Sequence, residues 1–214
     1  ATFFAGGKWM RSHPEKAMQL MADPLFELGN HSWTHANLAL MDEAETREQV
    51  LWTQAQYEFL REELASRAGT RGMAAEMAHV PVCMAVFRLP YGRNAPATIG
   101  YLARMGLPII QWDVLGEGGD GSAAEIAARA AGQVRPGSIV LMHANAVPKL
   151  TQDIVPFFVD ALLDQGWRFV TVSEILDLGP AEIVRDGYFE KPGDNVQYDH
   201  GYPGKGTLHP VPRK

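Results

Sequence analysis

Two histidines four residues apart are the sharpest chemical signal in the chain: Gly29-Asn30-His31-Ser32-Trp33-Thr34-His35 follows a short apolar run that reads as a strand. Positions i and i+4 share a face of a helical turn, so the two imidazoles can converge on one metal ion. Neutral imidazole suits Zn²⁺ and its first-row neighbours. The competing reading is that two of seven histidines fall at this spacing by chance and merely pack or cap. Placement at the C-terminal end of a strand favours the metal, because α/β barrels build their sites there.

Three further segments end apolar runs in the same way. Arg88-Leu89-Pro90-Tyr91-Gly92 combines a cation able to orient a carboxylate with a turn able to present a backbone N–H to developing negative charge. Leu141-Met142-His143 places an imidazole where a general acid could serve a leaving group. Trp112-Asp113 runs into a glycine-rich loop with Glu117 and Asp120, any of which could orient His143. Each has a plainer alternative: a strand-ending turn with a solvated arginine, a core histidine, a capping acid.

The elements that must carry these residues alternate in type. Short β-rich runs at residues 2–4, 25–29, 84–89, 107–114, 138–142 and 168–172 alternate with helical patterns, which predicts an α/β fold, either a β/α barrel or an open sheet. Capping boxes are expected at Ser12 with Glu15 and at Ser122 with Glu125, and Asp42 should start a long helix. That helix shows apolar Val50, Leu51, Ala55, Phe59 and Leu60 at helical spacing. Periodicity is lost from Gly179 onward. Residues 1–178 are therefore expected to be the folded domain. Residues 179–214 form a Pro- and Gly-rich extension wrapping it or an oligomer partner, with Tyr188, Phe189, Tyr198 and Tyr202 as anchors.

Bulk properties narrow the function classes. A chain of 214 residues with 46% hydrophobic content can bury a core without staples. A net charge of −6 with scattered basic residues argues against a nucleic-acid groove or an anionic membrane partner. No apolar run approaches the roughly 20 residues of a membrane span, and no secretory leader is visible. Cys83 is the sole cysteine, so no internal disulfide can form, and its apolar neighbours suggest a small buried hydrophobe.

Taken together and in order, the motifs resemble those of the polysaccharide deacetylases, the NodB-homology carbohydrate esterases of family four. The family's His-Ser/Thr-x-x-His motif matches His31 to His35, its Arg-x-Pro-Tyr-Gly motif matches Arg88 to Gly92, and its Leu-x-His motif matches Leu141 to His143. The resemblance covers about residues 1–178. It implies a distorted (β/α) barrel of the NodB-homology type that removes acetyl groups from N-acetylated, or O-acetylated, glycans. By this resemblance His31, His35 and an aspartate hold a divalent metal, Zn²⁺ first and Co²⁺ or Ni²⁺ next, which activates a water and the acetyl carbonyl. A second aspartate takes the water's proton and Arg88 positions that base. The Tyr91 N–H holds the oxyanion, and His143 protonates the departing amine with Asp113 as the first choice of tuning acid, ahead of Glu117 and Asp120. Pro90, Tyr91, Leu141 and Trp33 are expected against the substrate, with Trp33 and Tyr91 suited to sugar stacking.

One motif of the family is missing. Its Thr-Phe-Asp-Asp segment supplies the base and the third metal ligand, and it lies about one βα unit before the strand resembled by Ala1-Thr2-Phe3-Phe4. Neither Gly193-Asp194-Asn195 nor Tyr198-Asp199-His200 has the apolar strand such a motif needs. The expectation is that the aspartate pair, with the first strand, comes from a separate N-terminal fragment or from preceding sequence; the alternative is a glycan-binding pseudoenzyme. A related small-amide hydrolase is a further alternative. The substrate class suggests a periplasmic or secreted protein.

Overall fold

Asp42, Ser122 and Thr171 each stand three residues before a glutamate, and each opens a helix through a reciprocal capping box. The computed structural model describes residues 1–145, 150–184, 194–202, 204 and 206. Two compact units divide the chain, residues 1–110 with 171–214 and residues 111–170. The compositional boundary at residue 178 does not coincide with this division. Tyr188 and Phe189 lie outside the described residues.

The first unit opens with strand β1 (Thr2–Ala5), helices α1 (Gly7–Ser12) and α2 (Pro14–Ala22), and strand β2 (Glu27–Asn30). β1 pairs with β2 in parallel register, Thr2 opposite Glu27 and Ala5 opposite Asn30. The 28-residue helix α3 (Glu43–Thr70) and helix α4 (Pro96–Arg104) follow. Helix α7 (Val172–Leu178) and the short α8 (Tyr198–Gly201) complete this unit. One apolar cluster gathers Met10, Met18, Leu28, Tyr57 and Leu60, and a second gathers Leu38, Val50, Phe87, Leu89 and Leu102. The second unit holds β3 (Val114–Leu115), α5 (Ala123–Ala131), β4 (Val140–Leu141) and α6 (Thr151–Asp164). β3 and β4 are parallel, and Ile126, Ile154, Phe158 and Leu162 fill the core.

Several sequence expectations change. Residues 84–89 and 107–114 were expected as strands, yet single bridges join Asn30 to Phe87 and Phe87 to Ile109. Pro108, next to Ile109, has no N–H with which to extend its ladder, although its carbonyl accepts from the Phe87 N–H. Residues 168–172 form no strand, because Thr171 turns the chain into α7 by capping it. The described strands pair as two-stranded parallel sheets, one in each unit. The box expected at Ser12 is absent: the Ser12 hydroxyl donates to the Lys8 carbonyl at 2.8 Å, and Glu15 is held by both terminal nitrogens of Arg67. Cys83 is exposed rather than buried. No described helix is long and apolar enough to cross a membrane.

The face of α3 also differs. Its buried stripe is Thr46, Gln49, Val50, Thr53, Tyr57 and Leu60, whereas Leu51 and Phe59 are exposed. The stripe keeps helical spacing but includes polar residues: the Thr53 hydroxyl donates to the Gln49 carbonyl, and the Gln49 side chain accepts from Trp33 and Thr34. Burial of the Tyr57 phenol pushes its pKa up to about 12, and it donates to the Pro81 carbonyl.

Gly7 shows how closely α1 meets the histidine turn. A Cβ there would lie 2.1 Å from the Trp33 ring and 2.8 Å from the Thr53 hydroxyl. Gly7→Ala is expected to destabilise the fold by about 1–3 kcal/mol through overpacking. An unchanged urea midpoint would show that Trp33 is not seated against Gly7.

Candidate functional site

The histidine turn is wired to three elements of the first unit. Asn30, buried at the end of β2, donates to the Val50 carbonyl and accepts from Ser32 N–H, each at 3.0 Å. Gln49 of α3 accepts through one oxygen from the Trp33 N–H (3.0 Å), the Thr34 N–H (2.9 Å) and the Thr34 hydroxyl. The first N–H groups of α1 complete the cradle, Gly7 donating to the Ser32 carbonyl and Lys8 to that of Trp33, both at 3.0 Å. Sequence reasoning missed Asn30 and Gln49. The only signal was that both are amides at positions where apolar residues would be expected to face the core.

This cradle holds backbone that would not sit there unaided. Among the described residues, the non-glycine positions with positive φ are Ser32 (65°), His35 (57°) and Tyr91 (61°). Left-handed backbone costs a non-glycine residue about 1–3 kcal/mol and clusters at functional sites. The Ser32 hydroxyl is also buried without a hydrogen-bond partner among the described residues. The strained turns touch each other: the Tyr91 hydroxyl donates to the His35 carbonyl at 3.2 Å, and their rings meet edge-on at 4.6 Å. Burial, with Tyr202 nearby, pushes the Tyr91 phenol above its ordinary range.

The two imidazoles lie 4.8 Å apart between ring centroids. His31 Nδ1 is 2.8 Å from the Arg88 carbonyl oxygen, which can only accept, so Nδ1 carries the proton and Nε2 keeps its lone pair. A backbone acceptor on the far nitrogen is the usual support of a metal-binding histidine. The pair therefore fits two positions of a tetrahedral ion. The fit is partial, since no group of three His, Cys, Asp or Glu able to hold a metal occurs among the described residues.

Arg88 is buried at 7% exposure, with its guanidinium 4.2 Å over the Phe4 ring of β1 and Nε donating to the Ile110 carbonyl. Desolvation lowers its pKa to about 10, leaving it charged at neutral pH. Pro90 is buried, whereas Trp33 and Tyr91 are partly exposed.

Described residues of the C-terminal extension pack on this turn. Asp199 takes two bonds from Arg93, at 2.9 and 2.8 Å, and one from the Asn37 amide at 2.9 Å. Asn195 donates to the Gly92 carbonyl at 2.7 Å, and the Tyr202 ring stacks on Tyr91 at 4.5 Å. The Arg93 bonds, foremost, hold the Asp199 carboxyl below its ordinary range. The clasp is thus complete above the ordinary aspartate pKa and loosens as pH falls through the lowered native value. Asp199→Asn removes a charge-assisted pair, and amide exchange at residues 194–202 is expected to quicken by at least about tenfold at neutral pH. Exchange at the wild-type rate would show that the ion pair does not hold the segment.

In the second unit, the acid beside His143 is Glu117. His143 Nδ1 bonds one carboxylate oxygen, while the other accepts the His143 N–H at 3.1 Å and the Thr151 hydroxyl. Burial pushes the Glu117 carboxyl up, but the bonds from His143 and Thr151 together outweigh it and hold the carboxyl below its ordinary range. Asp113, the first choice from sequence, is elsewhere engaged: it accepts from the Ser138 hydroxyl and the Ile139 N–H, both at 2.7 Å. Asp113 precedes β3 and Glu117 follows it, so the two carboxylates stand at opposite ends of the strand. Leu141 is buried.

Comparison with known proteins places this geometry. Residues 1–67 match the model of a family described as polysaccharide deacetylase. A peptidoglycan-N-acetylglucosamine deacetylase of Bacillus cereus is 28% identical over 178 residues, covering 82% of this chain and 58% of that protein. The chain spans 26% and 49% of the length of two other curated relatives. Among solved structures, a peptidoglycan N-acetylglucosamine deacetylase superposes with a TM-score of 0.66 at 25% identity, over 82% of this chain and 74% of that one. A pseudoenzyme of carbohydrate esterase family four from Bacillus anthracis superposes with a TM-score of 0.64 at 24% identity, over 83% of this chain and 55% of its own. The chain thus matches the polysaccharide deacetylase model over residues 1–67 and is similar to peptidoglycan deacetylases over 82% of its length.

Proposed function

We propose that this chain carries the metal-binding histidines and the proton-donating histidine of a hydrolase that removes acetyl groups from N-acetylated, or O-acetylated, polysaccharide. The observation that carries the reading is the meeting of His35 and Tyr91, each in left-handed backbone, beside a His31 whose Nδ1–H is fixed on the Arg88 carbonyl. The names of the relatives support the substrate class. The reading carries with it a distorted (β/α) barrel and a periplasmic or secreted location, and it requires an aspartate pair that acts as base and further metal ligand.

In the proposed reaction His31 and His35 hold a divalent ion, Zn²⁺ first and Co²⁺ or Ni²⁺ next. When bound, such an ion supplies Lewis acidity toward the acetyl carbonyl and a more acidic water. Arg88 keeps the base oriented, and the Tyr91 N–H stabilises the oxyanion. As the carbon–nitrogen bond breaks, His143 gives a proton to the amine, with Glu117 holding its ring. Water adds to the acetyl group and the products are acetate and the free amine.

The test is acetate release from an N-acetylglucosamine pentamer by the full-length protein loaded with Zn²⁺ or Co²⁺. No release, with the aspartate pair present and metal bound, overturns the reading. Glycan binding with no metal by elemental analysis would describe a non-catalytic module instead.

A further inference from the structure

The exposed face of α3 carries large aromatics that the core does not use. Trp52, Ala55, Gln56 and Phe59 follow one another at helical spacing, with Trp52 51% and Phe59 62% exposed. Together with Arg11 at the end of α1 and Trp33 from the histidine turn, they line an open groove of about 430 Å³. The Trp33 and Trp52 rings meet edge-on, 6.2 Å between centroids at 85°. Exposing this much aromatic surface is unfavourable unless something covers it.

Three features select the occupant. Trp33 belongs to the histidine turn and lines the groove, so the groove borders that turn. Arg11 and Gln56 put hydrogen-bond donors beside the aromatic walls, which suits a ligand with apolar faces and a rim of hydroxyl and carbonyl acceptors. The groove's volume is within the range of small-ligand sites, about 300–1,000 Å³, and its open form admits a chain passing through. A pyranose ring of an acetylated polymer meets all three conditions: its C–H faces lie on aromatic rings and its substituents reach the donors.

We infer that the Trp33–Trp52–Phe59 groove, with Arg11 and Gln56, is a glycan subsite that binds a sugar unit remote from the acetyl group being removed. The choice of an acetylated glycan rests on the deacetylase reading, while the test of the groove does not need turnover. Trp52 and Phe59 grip the ring faces, and Trp33 connects the subsite to the turn that holds His31 and His35. The site therefore favours oligomers over single sugars.

The experiment titrates an N-acetylglucosamine pentamer, and separately the monomer, into the full-length protein, following tryptophan fluorescence and heat. Trp52→Ala and Phe59→Ala are each expected to weaken pentamer binding roughly tenfold and to leave monomer binding unchanged. Both side chains are more than half exposed, and thermal melting checks that the variants stay folded. Wild-type pentamer affinity in both variants overturns the inference. So does self-association of the wild type that Trp52→Ala abolishes without any pentamer binding, which would assign the groove to a second copy of the chain. His31→Ala separates the two readings. Trp52-dependent binding that survives in this variant upholds the subsite whether or not acetate is released, and acetate release indifferent to Trp52 and Phe59 sinks the subsite alone.

Discussion

His31→Ala and His35→Ala are each expected to weaken Zn²⁺ binding by at least about a hundredfold and deacetylation by on the order of a thousandfold. Zinc in catalytic sites takes three protein ligands, and in the proposed site this chain would contribute two imidazoles, so losing either removes half of what it would supply. The effect should exceed a simple loss of donor atoms. His31 is held on the Arg88 carbonyl at 2.8 Å and His35 on a left-handed backbone at φ 57°. Both orientations are therefore set before a metal arrives, and the ordering cost is carried by the fold. Competition with a chromophoric chelator measures the affinity without any turnover. Zn²⁺ affinity unchanged in both variants would move the ion away from this pair and remove the basis of the proposed hydrolysis. Gln49→Ala is the companion test, since its side-chain oxygen collects three donors from the same turn. It should weaken the metal by less than either histidine replacement, about 10-fold, with the ligands themselves still present.

From the sequence came candidate chemistry for this site, and from the structure its mechanical support. His31, His35, Arg88, Tyr91 and His143 stood out as candidates because their motifs are short and ordered, and the structure brings His31, His35, Arg88 and Tyr91 together in the first unit. The capping boxes at Asp42 and Ser122 were readable for the same reason: three residues decide them. Strands at 84–89 and 107–114 were over-read because apolar composition reports burial, not pairing: single bridges join Phe87 to Asn30 and Ile109, and Val114 alone of these residues begins a strand. The face of α3 was misread because Gln49 and Thr53 are buried through hydrogen bonds that composition does not show, leaving Phe59 outside. Asp113 was preferred over Glu117 because it was expected on the strand. The structure instead puts Asp113 just before β3, bonded to Ser138 and Ile139, and Glu117 just after it, bonded to His143.

Glu117→Gln is expected to lower kcat by about a hundredfold while leaving KM nearly unchanged, because the bond to His143 bears on proton delivery more than on substrate affinity. The carboxylate accepts three donors: the His143 ring, the His143 N–H and the Thr151 hydroxyl. Glutamine has one oxygen and a donor amide in the same space, so at least one of those donors faces another donor. With the Glu117 side chain only 2% exposed, that mismatch has no water to relieve it and should cost about 1–3 kcal/mol of stability. Acid separates the charge from the shape. The native Glu117 carboxyl lies below its ordinary range, so its contribution is full above the ordinary glutamate pKa and fades as pH falls through the lowered native value. The stability gap between wild type and Glu117→Gln should therefore narrow on acidification, as read by urea midpoints at neutral pH and in acid. Asp113→Asn is the control: its partners are Ser138 and Ile139, and kcat should stay within about twofold. A kcat lost in Asp113→Asn and kept in Glu117→Gln would reverse the assignment of the acid that holds His143.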